Sequence, residues 1–431
     1  MTTLARQLGL GTLVIYGIGD ILGTGIYALV GKVAGSAGAD TILAFVAAGV
    51  VALVTGLTYA ELAARIPHSA GASAYCARAF RHPVIPFLIG VLVLMSGVTS
   101  AATASLAFHG YLEVHLLSPP WLAAAVLIAL LSFINFIGIR QSARTNNVLT
   151  AIELFGLLVV IGVGMHAAGT AQAPEALARS LAPQWEATAI FAGATLAFYA
   201  FVGFEDLVNL SEEAKEPARD VPRALLIAVV VTTVIYLLVV SVVLWSMSPA
   251  EAAATERPLL EVLARAGHPL SAGAFALIAI TAISNTALAN TIMASRLLYG
   301  MARQGLMPTL LARVHAVRRT PVASILLTAV IILLLVVTGG VTVLAQTTGC
   351  LLMVVFLFVH LSLIRVRRAE ETPPACFHVP RATPYVGVVL CAGLLTQFPP
   401  AVYARLAIIL ACAALLYGAL RAGQSARAGV K

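Results

Sequence analysis

The sequence predicts an all-α integral membrane protein with about twelve transmembrane helices. Composition is the first reason: 60% of the 431 residues are hydrophobic and only 10% are charged, against about 25% charged in an ordinary soluble domain. Mean hydropathy is correspondingly high at +0.98. The second reason is spacing, because the apolar residues fall into runs of about 20, enough to cross about 30 Å of hydrocarbon at 1.5 Å per helical residue. The third is the placement of the basic residues.

Taken in order, the runs cover 10–32, 40–65, 84–110, 121–139, 146–167, 187–209, 223–247, 271–300, 321–340, 341–364, 383–400 and 403–421. The last two are short and are divided at "QFPPAV". The first run is too long and too glycine-rich for a cleavable signal peptide. Between the second and third, "SAGASAYCARAF" predicts a short interfacial helix with Arg78 and Arg81 towards lipid headgroups. "LSEEAKEPARDVPRALL" carries both signs of charge and two prolines and predicts the cytoplasmic link between the sixth and seventh runs, with Glu212 or Glu213 able to pair with basic inner loops.

A net charge of +8 raises nucleic acid as a partner, but position explains the charge better. With a cytoplasmic N-terminus and alternating loops, Lys32, Arg179, Arg257, Arg265 and Arg405 alone fall on the outer side, and the other 21 of the 26 basic residues fall on the inner side. That is the positive-inside pattern of a multi-pass protein with both termini cytoplasmic. Nucleic acid is thereby excluded, and the expected location is the cytoplasmic membrane, with residues 1–9 and 422–431 as short tails that leave no room for a signalling domain. Cys76, Cys350, Cys376, Cys391 and Cys412 have neither metal-ligand nor redox-pair spacing and read as small apolar filler.

Two stretches should not survive in lipid as plain helices. "GIGDILGTGIY" places glycines at 17, 19, 23 and 25 in the first run, and each interior glycine costs a helix about 1 kcal/mol against alanine. "FYAFVGFED" in the sixth run combines an aromatic cluster, Gly203, and then Glu205 and Asp206. An unwound backbone in a membrane survives only where it lines a cavity or meets a ligand. Paired interruptions in corresponding helices of two halves point to a transporter's midplane site. Close helix packing would also account for each glycine taken singly.

Read together, "GIGDILGTGIYALVG", "YAELAARIPHSAGASAY", "AFYAFVGFEDLVNLSEEAKEPARDVPRAL" and "ASRLLYGMARQGLMP" resemble the signature segments of amino acid permeases of the amino acid–polyamine–organocation superfamily. The resemblance runs over about residues 10 to 365 in the expected order. It implies a LeuT-type 5+5 inverted repeat with discontinuous helices 1 and 6: residues 10–167 and 187–364 as the repeats, and 383–421 as two appended helices. It also implies that Gly23, Thr24 and Gly25 offer backbone N–H groups to a substrate carboxylate, which suits a half-helix N-terminus. Gly17 and Gly19 are left to packing. Backbone acceptors for the substrate ammonium are implied around Tyr199, Ala200 and Val202, next to Gly203, with the Tyr199 ring over the substrate as a gate. Ala200 and Gly203 leave room without supplying polar side chains, a hint of a neutral substrate.

Ionisable residues inside the membrane are functional candidates by default. Glu153 is the foremost, standing where many related permeases have a lysine that replaces a sodium ion or takes part in proton coupling. Three roles are open: a proton carrier, a ligand for a cation (an ion or a basic substrate group), or a carboxyl near the cytoplasmic end that sits in water or hydrogen-bonds a neighbouring helix. Asp20 faces either the cavity or a vestibule. Glu205 and Asp206 are read as a gate or a helix-linking hydrogen bond. In the eighth run Thr281, Ser284, Asn285, Thr286 and Asn290 form a polar face that either meets an ion or binds neighbouring helices. His109 and Glu113 read as solvated at the outer interface.

No metal-spaced cluster, nucleophile elbow or phosphate loop occurs in the sequence, so neither an enzyme nor a resident cofactor is expected. The function expected is secondary active transport of amino acids by alternating access, as proton symport, with sodium the second candidate ion. The alternatives are exchange of solutes, carriage of polyamines or organic cations, and a transporter-like sensor. The expected partners are a small-molecule substrate and the bilayer.

Overall fold

In a computed structural model, residues 8–66, 71–137, 139–169, 182, 184–267, 272–369 and 377–428 are described. The helices are α1 (Leu10–Ile21), α2 (Thr24–Ala37), α3 (Thr41–Arg65), α4 (Gly71–Ala79), α5 (Val84–Leu112), α6 (Pro120–Ile137), α7 (Ile139–Ala168) and α8 (Ala187–Ala197). They continue as α9 (Pro217–Ser246), α10 (Pro249–Ala254), α11 (Pro258–Arg265), α12 (Ala272–Arg303), α13 (Val322–Val336), α14 (Val341–Arg368), α15 (Thr383–Leu395) and α16 (Pro400–Ala428). Among the described residues the β-structure is limited to one isolated bridge between Leu8 and Ala214.

Nine helical stretches among the described residues are long and apolar enough to span a bilayer. One of them, Thr24–Arg65, holds the second half of the first span and all of the second; Leu10–Ile21, Val322–Val336 and Thr383–Leu395 are shorter apolar helices that complete the twelve. The protein is thus an all-helical, multi-pass membrane protein. Large apolar side chains such as Val126 and Leu130, Val230 and Val234, and Leu326, Val330 and Leu334 are exposed at helical spacing, a surface that water would not tolerate but lipid does.

The helix ends differ from the sequence reading where polar residues continue a helix. α7 begins at Ile139 and takes in "IRQSARTN". The charged link between the sixth and seventh spans is largely helical, because Pro217 opens α9 at a first-turn position and Pro222 is accommodated inside it. The division at "QFPPAV" stands, with α15 ending at Leu395 and α16 opening at Pro400. α4 forms as expected, burying Tyr75 and Cys76 while Arg78 and Arg81 are exposed. α10 and α11 went unread, since each is short and amphipathic within a polar connection. α10 packs on α2, where Gly31 and Gly35 allow the approach of Ala252 and Ala253, and Lys32 Nζ reaches the Ala253 carbonyl at 3.1 Å and Glu256 at 3.0 Å. Glu113 is not merely solvated, lying 3.5 Å from His109 and 3.7 Å from Arg257.

Cys76, Cys350 and Cys391 are buried and free, and Cys412 is free and exposed. Arg6, Arg179, Cys376 and Lys431 lie outside the described residues, as do the side chains of Arg140, Arg144, Glu212, Glu213 and Arg427.

Candidate functional site

Both breaks exist. α1 stops at Ile21, and the chain turns through Gly23 at φ +136°, ψ −141° before α2 begins at Thr24. α8 tightens into a 3₁₀ turn at Phe198–Phe201, the chain extends at Val202, and Gly203 at φ +123° starts a second 3₁₀ stretch, Phe204–Glu213. Both φ values lie where a side chain is strained, so glycine is required at each break. Gly17 and Gly19, by contrast, sit inside α1, packed on Leu207 and Ala228 and on Thr150 respectively.

The breaks touch. Gly25 lies on the Ala200 backbone, and Gly203 lies against the Asp20 carbonyl. Aromatic packing fixes the second break from behind, with Phe198 and Phe204 both on Phe356 of α14 at centroid separations of 5.9 and 5.4 Å. Phe201 turns away from the cavity onto Tyr236, 5.2 Å between ring centres.

Between the breaks is a narrow cavity of about 470 Å³, counting its open mouth. It is lined by Asp20, Thr24, Gly25, Tyr199, Val202, Gly203, Glu205 and Asp206 from the two broken spans, with Val93, Ser96 and Ser100 from α5 and Thr286, Asn290 and Met293 from α12. Gly23 and Ala200 support the cavity without lining it, and Ser284 does not reach it. The Tyr199 hydroxyl stands 3.1 Å from Ser100 Oγ, which holds the ring in the cavity wall.

The broken backbone finds partners within the protein itself. The Thr24 N–H, expected to meet a carboxylate, donates to Thr286 Oγ1 at 3.1 Å. The Gly203 N–H donates to Glu205 Oε2 at 2.9 Å, so Glu205 closes its own break instead of linking helices. Asn209 donates to Asp206 Oδ1 at 3.3 Å, while Asp20 Oδ2 and Thr24 Oγ1 are buried without a partner.

Tyr236 of α9 is the residue that sequence reasoning missed. Its hydroxyl is 2.7 Å from the Ile21 carbonyl and 2.7 Å from the Ala200 carbonyl, joining the two breaks. A lone tyrosine in the apolar run "VIYLLVV" was the available signal, because a buried phenol must find a partner.

Glu153 is fully buried in α7, outside the cavity lining but directly behind the first break: a Cβ on Gly23 would stand 3.6 Å from Glu153 Oε1. Both carboxyl oxygens lack a partner, as does Oδ1 of the neighbouring Asn285, whose Nδ2 reaches Thr150 Oγ1 at 3.4 Å. The Glu153 backbone carbonyl accepts from the Tyr27 hydroxyl at 2.8 Å, which fixes α7 against α2. Solvation at a helix end therefore does not describe Glu153. Elsewhere on the α12 face, Thr281 and Asn290 bond their own helix.

The sequence signature of the family described as Amino acid permease matches residues 8–419. The chain belongs to the amino acid permease family. Among curated relatives of this permease, the branched-chain amino acid permease BcaP of Bacillus subtilis is 26% identical over 92% of this chain and 87% of its own length. The methylthioribose transporter of the same organism is 28% identical over 96% and 93%. Cationic amino acid transporter 4 of Mus musculus is 32% identical over 87% of this chain and 62% of its own length. The family is one of membrane carriers, not enzymes.

Proposed function

We propose that this permease is a secondary transporter of amino acids across the cytoplasmic membrane, working by alternating access and coupled to protons. The observation that carries the reading is the contact of two glycine breaks across one cavity, with the N-terminus of α2 opening into it. A helix N-terminus suits a carboxylate, and unwound carbonyls suit an ammonium group. Ala200 O and Tyr199 O already accept from Tyr236 and from the Val202 N–H, but a carbonyl has two lone pairs and can accept again. The names of the relatives support an amino-acid substrate.

In this mechanism residues 10–167 and 187–364 act as two repeats, both termini face the cytoplasm, and α1 and the Phe204–Glu213 stretch tilt against the remaining helices to open the cavity to one side at a time. Glu153 is the proton carrier. It lies directly behind Gly23, so its charge state bears on the geometry of the first break.

The test is uptake into proteoliposomes under proton and sodium gradients imposed in separate runs. Proton-driven accumulation that Glu153→Gln reduces to passive exchange supports the mechanism. Full pH-dependent uptake by the variant removes Glu153 from coupling, and sodium-driven uptake removes the proton.

A further inference from the structure

The connection from α12 to α13 is basic and has no counter-charge. The sequence holds no Asp or Glu from Val114 to Ile152 or from Val262 to Ala369, so neither this connection nor α6, against which it rests, carries a carboxylate. Arg313, His315, Arg318 and Arg319 are exposed on it, and the ion pairs among the described residues lie elsewhere. Large apolar side chains stand among the arginines: Leu310 and Val314 are exposed, and Val317 is 82% exposed.

The turn that carries these groups is fixed by hydrogen bonds. The His315 N–H donates to the Thr320 carbonyl and the Arg319 N–H to the His315 carbonyl, both at 2.9 Å, while the Arg318 N–H reaches His315 Nδ1 at 3.2 Å. Arg319 closes the turn at φ +56°, a conformation uncommon for a residue with a side chain. Beyond the turn, the Thr320 hydroxyl donates to the Phe136 carbonyl at 3.1 Å, and the His315 ring meets Phe136 edge-on with 5.4 Å between centres. The Ser324 hydroxyl donates to the Leu311 carbonyl at 2.9 Å. These contacts place the turn at the common end of α6 and α13. Both helices face lipid up to that end, with Phe133 and Leu326 exposed one turn away, so the arginines stand at headgroup depth. The positive-inside pattern accounts for the number of basic residues here, but not for a fixed turn that presents them around an apolar side chain.

We propose that the turn at residues 313–320 binds the phosphate headgroup of an anionic lipid, with Arg313, Arg318 and Arg319 on the phosphate and Val317 in the acyl boundary. The chemistry suits both parts of such a molecule. Guanidinium groups take phosphate oxygens in charge-assisted, often bidentate pairs, and an apolar side chain beside them enters the interface. A free phosphate offers nothing to Val317, and an acidic protein segment would have to reach these arginines through the headgroup layer. The bound lipid braces α6 against α12 and α13, and α12 is the helix that brings Thr286, Asn290 and Met293 to the cavity. This contact is independent of what the cavity carries.

The test follows the thermal midpoint of the full-length protein in a non-ionic detergent while lipid is titrated. Phosphatidylglycerol should raise the midpoint by several degrees, and phosphatidylcholine, glycerol phosphate and poly-glutamate should not. Arg313→Gln and Arg318→Gln should each weaken the apparent affinity for phosphatidylglycerol about fivefold, the scale of one basic residue at an anionic surface. Val317→Ser should weaken it as well. Arg219→Gln, which removes an equal charge from the start of α9, should respond like the parent protein. Equal stabilisation by phosphatidylcholine removes the charge requirement and overturns the proposal. Equal stabilisation by glycerol phosphate or poly-glutamate assigns the turn to a soluble anion or an acidic protein and overturns the lipid. A parental response in both arginine variants, or an equal loss in Arg219→Gln, places the effect elsewhere and overturns it too. The arginine side chains are exposed, so these variants fold as the parent does, and each is read separately.

Discussion

Replacing Tyr236 with phenylalanine isolates the link between the two breaks. The ring is fully buried and packs edge-on against Phe201 and Phe45, 5.2 and 6.3 Å between centres, and phenylalanine preserves that packing. What disappears is one hydroxyl between the Ile21 and Ala200 carbonyls, each 2.7 Å away. A single O–H donates fully to one acceptor at a time, so one buried carbonyl loses its donor, at a cost of about 1–3 kcal/mol. The thermal midpoint in detergent should fall by several degrees. Substrate affinity should fall as well, because Ala200 is one of the positions at which the substrate ammonium is expected. The assay is paired: a melting curve with and without substrate, and initial uptake rates. A Tyr236→Phe protein with parental midpoint and parental KM would show that the hydroxyl does not hold the breaks together, and the reasoning would fail.

Gly203→Ala places a side chain at φ +123° and drives a Cβ into the Asp20 carbonyl; a residue held in such a conformation costs about 1–3 kcal/mol, so uptake should be lost, and parental uptake would refute the contact. Glu61 accepts from Arg65, Arg367 and the Val379 N–H, fixing the C-terminal ends of α3 and α14 to the chain before α15. Glu61→Ala strips a buried pair of one partner and should destabilise by about 3–5 kcal/mol, measured as a large drop in thermal midpoint. On the α10 loop, hydrogen bonds from Ser248 and then Arg265 pull the Glu251 carboxyl from its usual 4.5 down to about 2. A depressed carboxyl stabilises above its unfolded value and loses that contribution as pH falls through the folded one, so amide exchange over residues 249–265 should rise only between those limits. Protection already lost at pH 6 would refute that assignment.

How much of this was legible in the sequence depends on distance along the chain. Gly23 and Gly203 were legible because each break needs a glycine and local composition shows it. Glu153 was legible because a carboxylate in an apolar run is conspicuous. The contact of Gly25 with Ala200, and the meeting of Asp20 with Glu205 and Asp206, join residues far apart in sequence, and no local pattern encodes that. The hydroxyls of Ser96 and Ser100 were passed over for a related reason. Serines and threonines in membrane helices commonly bond their own backbone, as Ser96 does to Val93 at 2.8 Å, so their type does not distinguish cavity lining from helix interior. Only packing separates the two.

The partners of the broken backbone are of one chemical kind, neutral hydroxyls. Thr24 N–H leans on a threonine hydroxyl, and the Ile21 and Ala200 carbonyls on a tyrosine hydroxyl. Neutral hydrogen bonds of this kind contribute about 1 kcal/mol net, whereas bonds to charged groups contribute about 1.5–3. Under the proposed transport reading, a substrate carboxylate or ammonium would displace each of these partners at a gain, and within the fold the same partners keep the broken backbone from being left with unpaired polar groups. Hydroxyls serve better here than lysine or glutamate would, since they donate and accept and carry no charge to be left behind when the partner changes.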